Sequence, residues 1–309
     1  MISIVFPGQG SQFIRMGKEF YDNFLVSKEI LQLIEDAVDL NLKKIIFEEN
    51  DKLNLTEYTQ ISIFSVSMMI FQFFNENFIK KNNLKIKYVL GHSLGEYSAF
   101  AASEVFKIDE CSKLLKIRGR LMQNADPTNQ SGMAAIIGMN CDKVEEILRL
   151  ENSSVNVAND NAPGQVVISG KLNEIKKIEN ILSKKGAKKI VYLNVSSAFH
   201  SSLMNIAENE MLESLKQIKF HDPIYSIISN YSGNVSENKD LLFTNLSKQI
   251  SNKVKWLDSI KFLENNKVDK IIEIGPGKVL TGIIKRISKD FKLFNLNDLK
   301  DINIIENEL

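Results

Sequence analysis

The sequence predicts an α/β fold in two parts. A large discontinuous α/β domain is expected over residues 1–125 and 198–309, with a small α+β domain inserted at residues 126–197. Three observations carry this. In the outer segments, short apolar strands alternate with long helical stretches. The alternation is interrupted by a turn-rich run from Asp126-Pro127 to Gly132. From there to residue 197 the order β-α-β-β-α-β is that of a ferredoxin-like split βαβ unit.

Ile2–Phe6 reads as a short buried strand that ends at Pro7, and a Gly/Gln/Ser loop follows to Gln12. Helical periodicity runs from Arg15 through the Phe20–Asp22 region. Thr56 is expected to cap a long helix that reaches about Ile79. Lys85–Leu90 is the next strand, followed at once by Gly-His-Ser-Leu-Gly and a helix from Glu96 to about Phe106. A helix rich in basic residues is expected from Asp109 to about Asn124.

Inside the insert, strands are expected at Met133–Met139, Val155–Ala158, Gln165–Ser169 and Ile190–Val195. Helices are expected at Cys141–Leu150 and Leu172–Lys185, the second stopped by Gly186. Beyond it the clearest strands are Ile224–Ser229 and Lys270–Ile274. Ile287–Leu309 reads as only loosely structured.

Composition narrows the function classes. The 309 residues are 44% hydrophobic and 25% charged, the balance of a soluble globular chain. A net charge of +1 lacks the basic surplus of a nucleic-acid binder. The N-terminus has no positive n-region, and its apolar run is too short for a signal peptide. The most apolar stretch, Val66–Phe74, falls well short of the roughly 18 residues a membrane span needs. Cys111 and Cys141 have neither metal nor redox spacing and read as small buried hydrophobes of a reducing cytosol. A cytoplasmic protein is expected, with no metal and no membrane or nucleic-acid partner.

The chemistry centres on Gly91-His92-Ser93-Leu94-Gly95, which matches the nucleophile elbow G-x-S-x-G of the α/β-hydrolase type. The chain turns sharply from strand to helix there, and the serine sits strained at the turn. Its hydroxyl then lies at a helix N-terminus, where backbone N–H groups can hold an oxyanion. A serine nucleophile needs a base, and the chain has three histidines. His92 adjoins Ser93, and on a tight turn its side chain is expected to point away. His221, in Phe-His-Asp-Pro, is expected to shape a turn. His200 stands where a strand ends and a helix begins, and it ranks first.

Two other glycine motifs fail. After Gly8-Gln9-Gly10 the third glycine of a dinucleotide fingerprint is replaced by Phe13. Gly275-Pro276-Gly277-Lys278 is followed by Val279 rather than Ser or Thr, so it is not a P-loop.

Taken in order, several segments resemble the malonyl-CoA:acyl-carrier-protein transacylase family of type II fatty-acid synthesis. They are Phe6-Pro7-Gly8-Gln9-Gly10-Ser11-Gln12, Thr56-Glu57-Tyr58-Thr59-Gln60, Gly91-His92-Ser93-Leu94-Gly95-Glu96 and Ile117-Arg118-Gly119-Arg120-Leu121-Met122. Asn161–Val167, Ala198-Phe199-His200-Ser201 and Glu273-Ile274-Gly275-Pro276-Gly277 complete the series.

The resemblance implies that Ser93 is acylated, that His200 moves the proton, and that the backbone carbonyl of Gln249 orients His200. It implies an oxyanion hole made by the N–H groups of Gln9 and Leu94, and malonyl carboxylate binding by Arg118. A planar guanidinium suits that task, because it grips a carboxylate through two parallel hydrogen bonds and stays charged when buried. Phe199 and His92 are expected beside the substrate, with the Phe199 ring leaving little room for an α-methyl branch. The family often has proline where this chain has Ala198, so a less rigid loop is expected there.

Malonyl-CoA and a phosphopantetheine-bearing acyl carrier protein are the implied substrates, with no cofactor, and a monomer is expected. Carrier proteins are generally acidic, so Lys184, Lys185, Lys188, Lys189, Lys285 and Arg286 are candidate steering charges. In a lysine-rich chain they read first as a solvated face.

Three rivals remain open. An esterase or thioesterase shares the elbow but places its histidine near the C-terminus, after an acid. Here only His221 follows His200. A non-catalytic carrier-binding scaffold would not need Ser93, His200 and Arg118 together. A trans-acting acyltransferase of polyketide synthesis shares fold and chemistry, and the sequence does not separate it.

Overall fold

A computed structural model describes residues 1–309. Ten strands form two sheets: β1 (Ile2–Phe6), β2 (Ile86–Gly91), β3 (Ser131–Ile137), β4 (Asn156–Ala162), β5 (Gln165–Lys171), β6 (Lys189–Tyr192), β7 (Ser226–Ser229), β8 (Asn234–Ser236), β9 (Lys270–Ile274) and β10 (Lys292–Leu296). The larger sheet has the order β10-β9-β1-β2-β7-β8. Its neighbours run parallel, except that β8 returns antiparallel to β7. β1 lies inside, between β9 and β2, and its residues from Ser3 to Phe6 are buried, as the apolar run Ile-Ser-Ile-Val-Phe requires.

The smaller sheet has the order β4-β5-β3-β6, wholly antiparallel, with helices Cys141–Leu150 and Leu172–Lys184 completing the ferredoxin-like pattern. Its own core gathers Ala134, Ile136, Val144, Ile168 and Ile178. Gly186, at φ 111, follows the second helix in the left-handed conformation of a helix stop. Two backbone bonds tie β4 of this sheet to Val254. Val254 N–H donates to the Ala158 carbonyl at 2.8 Å, and Asp160 N–H donates to the Val254 carbonyl at 3.0 Å.

Helix Thr56–Phe74 is buried on nearly every face and forms the centre of the main core. It meets helix Ile108–Gln123 closely at Gly119, where a Cβ would stand 2.8 Å from the Glu57 Cα. That contact brings the neighbouring Arg118 against Gln60.

Some expectations need correction. Thr56 is the first helical residue and Leu55 the cap, so Thr56 does not cap the helix. Its hydroxyl instead meets Ser196 Oγ at 3.0 Å, while Thr59 Oγ1 donates to the Leu53 and Leu55 carbonyls. The C-terminal segment is ordered: β10 pairs with β9, and helix Lys300–Glu308 follows with Ile305 buried. The buried side chains of Phe291, Phe294, Leu296 and Ile305 anchor this otherwise polar stretch. Helices Leu25–Val38 and Leu42–Phe47 have no counterpart in the sequence reading. No helix is long and apolar enough to cross a membrane.

Candidate active site

Ser93 stands between β2 and helix Leu94–Ala102 at φ 53, ψ −108, a strained position for a residue with a Cβ. The flanking glycines make the turn possible. A Cβ on Gly91 would lie 2.0 Å from the Gly95 backbone, and one on Gly95 would lie 2.2 Å from the Phe6 carbonyl oxygen. Asn230, just after β7, braces the turn from the far side. Its Oδ1 accepts the Ser93 N–H at 2.7 Å and its Nδ2 donates to the Gly91 carbonyl at 2.7 Å.

His200 reaches the same hydroxyl, with Ser93 Oγ 2.8 Å from its Nε2. Its Nδ1 faces two backbone carbonyls, Gln249 at 2.9 Å and Asn252 at 3.1 Å. Carbonyls only accept, so Nδ1 carries the proton and Nε2 is free to receive one from Ser93. Burial, reinforced by the nearby Arg118 charge, lowers the His200 pKa to about 3, against the lift from the Gln249 carbonyl. At neutral pH the ring is an uncharged base.

Arg118 is fully buried. Its Nη1 donates to Gln60 Oε1 at 2.6 Å, and its Nη2 donates to Gln249 Oε1 at 2.8 Å and to Ser93 Oγ at 3.1 Å. The guanidinium lies over the Tyr97 ring, 5.3 Å from its centroid. Burial lowers its pKa, but an arginine starts so high that it stays charged.

A cavity of about 100 Å³ opens beside Ser93, His200 and Arg118. Gln9, Leu94, Phe199 and His92 also line it, so the sequence-predicted residues converge on one place. The Gln9 and Leu94 N–H groups donate to no other group of the chain. His92 does not turn away from the site: it borders the cavity, its Nε2 meets Asn161 Oδ1 at 2.9 Å, and its ring stands 5.5 Å from Trp256. Burial lowers its pKa.

His221 borders a separate surface hollow with Phe106 and Asp109. Cys111 and Cys141 are buried and unpaired. The Ala198 N–H donates to Ser131 Oγ at 3.2 Å, a bond that proline at this position would forbid, so the loop is pinned to the insert by another route.

None of the six basic candidates lines the cavity. Lys184, Lys185, Lys188 and Lys189 lie on the insert around the start of β6. Lys285 and Arg286 close helix Val279–Ile287, with Arg286 Nη1 on Gln165 Oε1 at 2.6 Å.

The sequence reading missed Glu96, Asn230, Gln60, Asn161 and the Gln249 side chain. Gln249 Nε2 donates to the Ser93 carbonyl at 2.7 Å and to Glu96 Oε2 at 2.8 Å. Burial raises the Glu96 pKa to about 7, although the Gln249 and Asn230 hydrogen bonds pull it down. Three of these residues sit inside the quoted segments: Glu96 ends the elbow motif, Gln60 follows Thr59 and Asn161 opens Asn161–Val167. That adjacency was the one available signal.

Residues 4–305 match the acyl transferase domain family. The chain belongs to that family. It is an acyltransferase, and its relatives carry more specific names. It is 34% identical over 304 residues to the malonyl CoA-acyl carrier protein transacylase of Staphylococcus aureus (strain COL), a match covering 97% of this chain and 96% of the relative. The crystal structure of acyl-carrier-protein-S-malonyltransferase from Bartonella henselae superposes with a TM-score of 0.94 at 37% identity, covering 99% of this chain and 98% of that one. A malonyl-transacylase solved in complex with its type II PKS acyl-carrier protein superposes with a TM-score of 0.94 at 30% identity, covering 99% of each chain.

Proposed function

We propose that this acyltransferase moves malonyl from malonyl-CoA to the phosphopantetheine thiol of acyl carrier protein, through a malonyl-Ser93 intermediate, in fatty-acid biosynthesis. The observation that carries the reading is the meeting of His200 Nε2 and the buried Arg118 Nη2 on Ser93 Oγ, at 2.8 and 3.1 Å. A base beside the hydroxyl supplies nucleophilic chemistry, and a buried cation within reach of the same atom selects an anionic acyl group.

In the first half-reaction Ser93 Oγ attacks the thioester carbon as its proton passes to His200 Nε2. The Gln9 and Leu94 N–H groups receive the oxyanion; losing one such donor costs about 2.7–4 kcal/mol in comparable sites. The tetrahedral adduct collapses, the C–S bond breaks, and coenzyme A leaves with the proton from His200. In the second half-reaction the carrier thiol gives its proton to His200, sulfur attacks the malonyl carbon, and Ser93 leaves and recovers the proton.

Arg118 holds the malonyl carboxylate, and Phe199 and His92 wall the acyl group. The Gln249 carbonyl stabilises the imidazolium that forms in each half-reaction. The residues in hand supply every proton and charge these steps need, so the reading assigns no cofactor or metal.

The similarity to relatives named for acyl carrier protein supports that partner. A cytoplasmic monomer without nucleic-acid or membrane partners completes the reading. It divides the chain at 1–125 plus 198–309 for the catalytic domain and 126–197 for the insert. The match to a transacylase bound to a type II PKS carrier favours polyketide synthesis as a second destination for the same malonyl group.

Intact-mass measurement after incubation with malonyl-CoA tests the reading. A malonyl adduct is expected on the wild type and none on Ser93→Ala. No adduct, or equal labelling by acetyl-CoA, sinks it.

A further inference from the structure

Glu96 takes no part in these steps, yet it is fully buried in the first turn of helix Leu94–Ala102. A carboxyl so placed persists only among donors. Its Oε1 accepts the Asn230 N–H at 3.2 Å and its Oε2 accepts from Gln249 Nε2 at 2.8 Å. Asn230 in turn brackets the Ser93 elbow, and Gln249 Oε1 holds Arg118 Nη2.

Hydrogen-bond polarity connects these contacts. An amide has one donor end and one acceptor end. Glu96 Oε2 and the Ser93 carbonyl both draw the donor end of Gln249. The acceptor end is thereby left facing Arg118, which can only donate. With the amide reversed, its NH2 would face the guanidinium, and two donors would meet. The immediate partners of Arg118 are two amide oxygens and a hydroxyl, so the nearest carboxyl acts on it at one remove, through this amide.

We propose that Glu96 is a positioning residue for acyl recognition: through Gln249 it aims Arg118 at the carboxylate of an anionic acyl group, and through Asn230 it braces the Ser93 elbow. The proposal rests on the malonyl reading above. The neutral isostere at position 96 offers Gln249 an amide that can turn its own NH2 inward, which unfixes the relay without emptying the site.

The test is the ratio of kcat/KM for malonyl-CoA over acetyl-CoA, in which any general loss of acylation cancels. Glu96→Gln is expected to lower this ratio about tenfold, within the range of one charge-assisted hydrogen bond. Gln249→Met keeps the backbone carbonyl at His200 and cuts only the side-chain link, and the same fall is expected. A wild-type ratio in Gln249→Met overturns the proposal, even where Glu96→Gln does not fold. An equal loss toward both thioesters leaves the ratio unmoved and overturns it too. Arg118→Ala separates this from the parent reading. If that variant also keeps the wild-type ratio, carboxylate binding by Arg118 fails first and the relay falls with it.

Discussion

The backbone carbonyl of Gln249 accepts the Nδ1 proton of His200 at 2.9 Å, so the base of this site is oriented by a neutral dipole rather than by a carboxylate. A carboxylate partner would raise the imidazole pKa, and here burial and Arg118 lower it to about 3. The acid limb of the acylation reaction should therefore be displaced. In Glu96→Gln, which removes the other group titrating in this range, we expect kcat/KM for malonyl-CoA to stay level from neutral pH down to about 5. A break at the ordinary histidine value of 6.5 in that variant would mean that His200 is solvated in the free enzyme.

Two buried groups pull stability in opposite directions with pH. His200 binds its proton more weakly folded than unfolded. Its contribution is full above 6.5 and is lost as pH falls toward about 3. Glu96 binds its proton more tightly folded, with its pKa raised from 4.5 to about 7. Its contribution is full below 4.5 and is lost as pH rises through about 7. In the window from 4.5 to 6.5 the two slopes oppose each other. Glu96→Gln removes one, so its melting temperature should climb with pH across that window more steeply than the wild type's. Parallel curves would show that Glu96 does not titrate there.

The elbow glycines differ in kind from the surface glycine of helix Val279–Ile287. A Cβ on Gly91 meets backbone at 2.0 Å, which no rotamer change relieves, whereas one on Gly282 meets nothing within 4 Å. Gly91→Ala should abolish Ser93 malonylation and lower the melting temperature. Gly282→Ala should keep activity and gain about 0.5–1 kcal/mol from helix propensity. Malonylation of Gly91→Ala at the wild-type rate would show that the close crossing of strand and helix is dispensable.

Ser93 and His200 were legible because their signals are local: a strand-turn-helix pattern for one, and for the other a strand-to-helix junction in a chain with three histidines. Arg118 was legible only through the resemblance, since its helix carries several cations. The element order of the smaller sheet was also readable, because the β-α-β-β-α-β pattern is confined to one stretch. What stayed hidden depends on tertiary contact. Asn230 meets Ser93 across 137 residues of chain, and the Gln249 side chain meets it across 156. Asparagine and glutamine are too common to be noticed alone. The C-terminal strand was hidden for a similar reason: Lys292–Leu296 is short and broken by the polar Asn295, and it pairs with β9.

The cavity beside Ser93 has walls of two origins. Met133, Asn159, Leu193 and Val195 come from the stretch proposed as an insert, residues 126–197, while the nucleophile, base and guanidinium lie outside it. Part of the chamber wall thus has a genetic address apart from the machinery, while His92, Met122 and Phe199 share the machinery's own. Substitutions in the insert can widen, narrow or re-chamfer the chamber that an acyl group occupies without altering Ser93, His200 or Arg118, and new acyl preferences can arise there while the transfer chemistry is inherited intact.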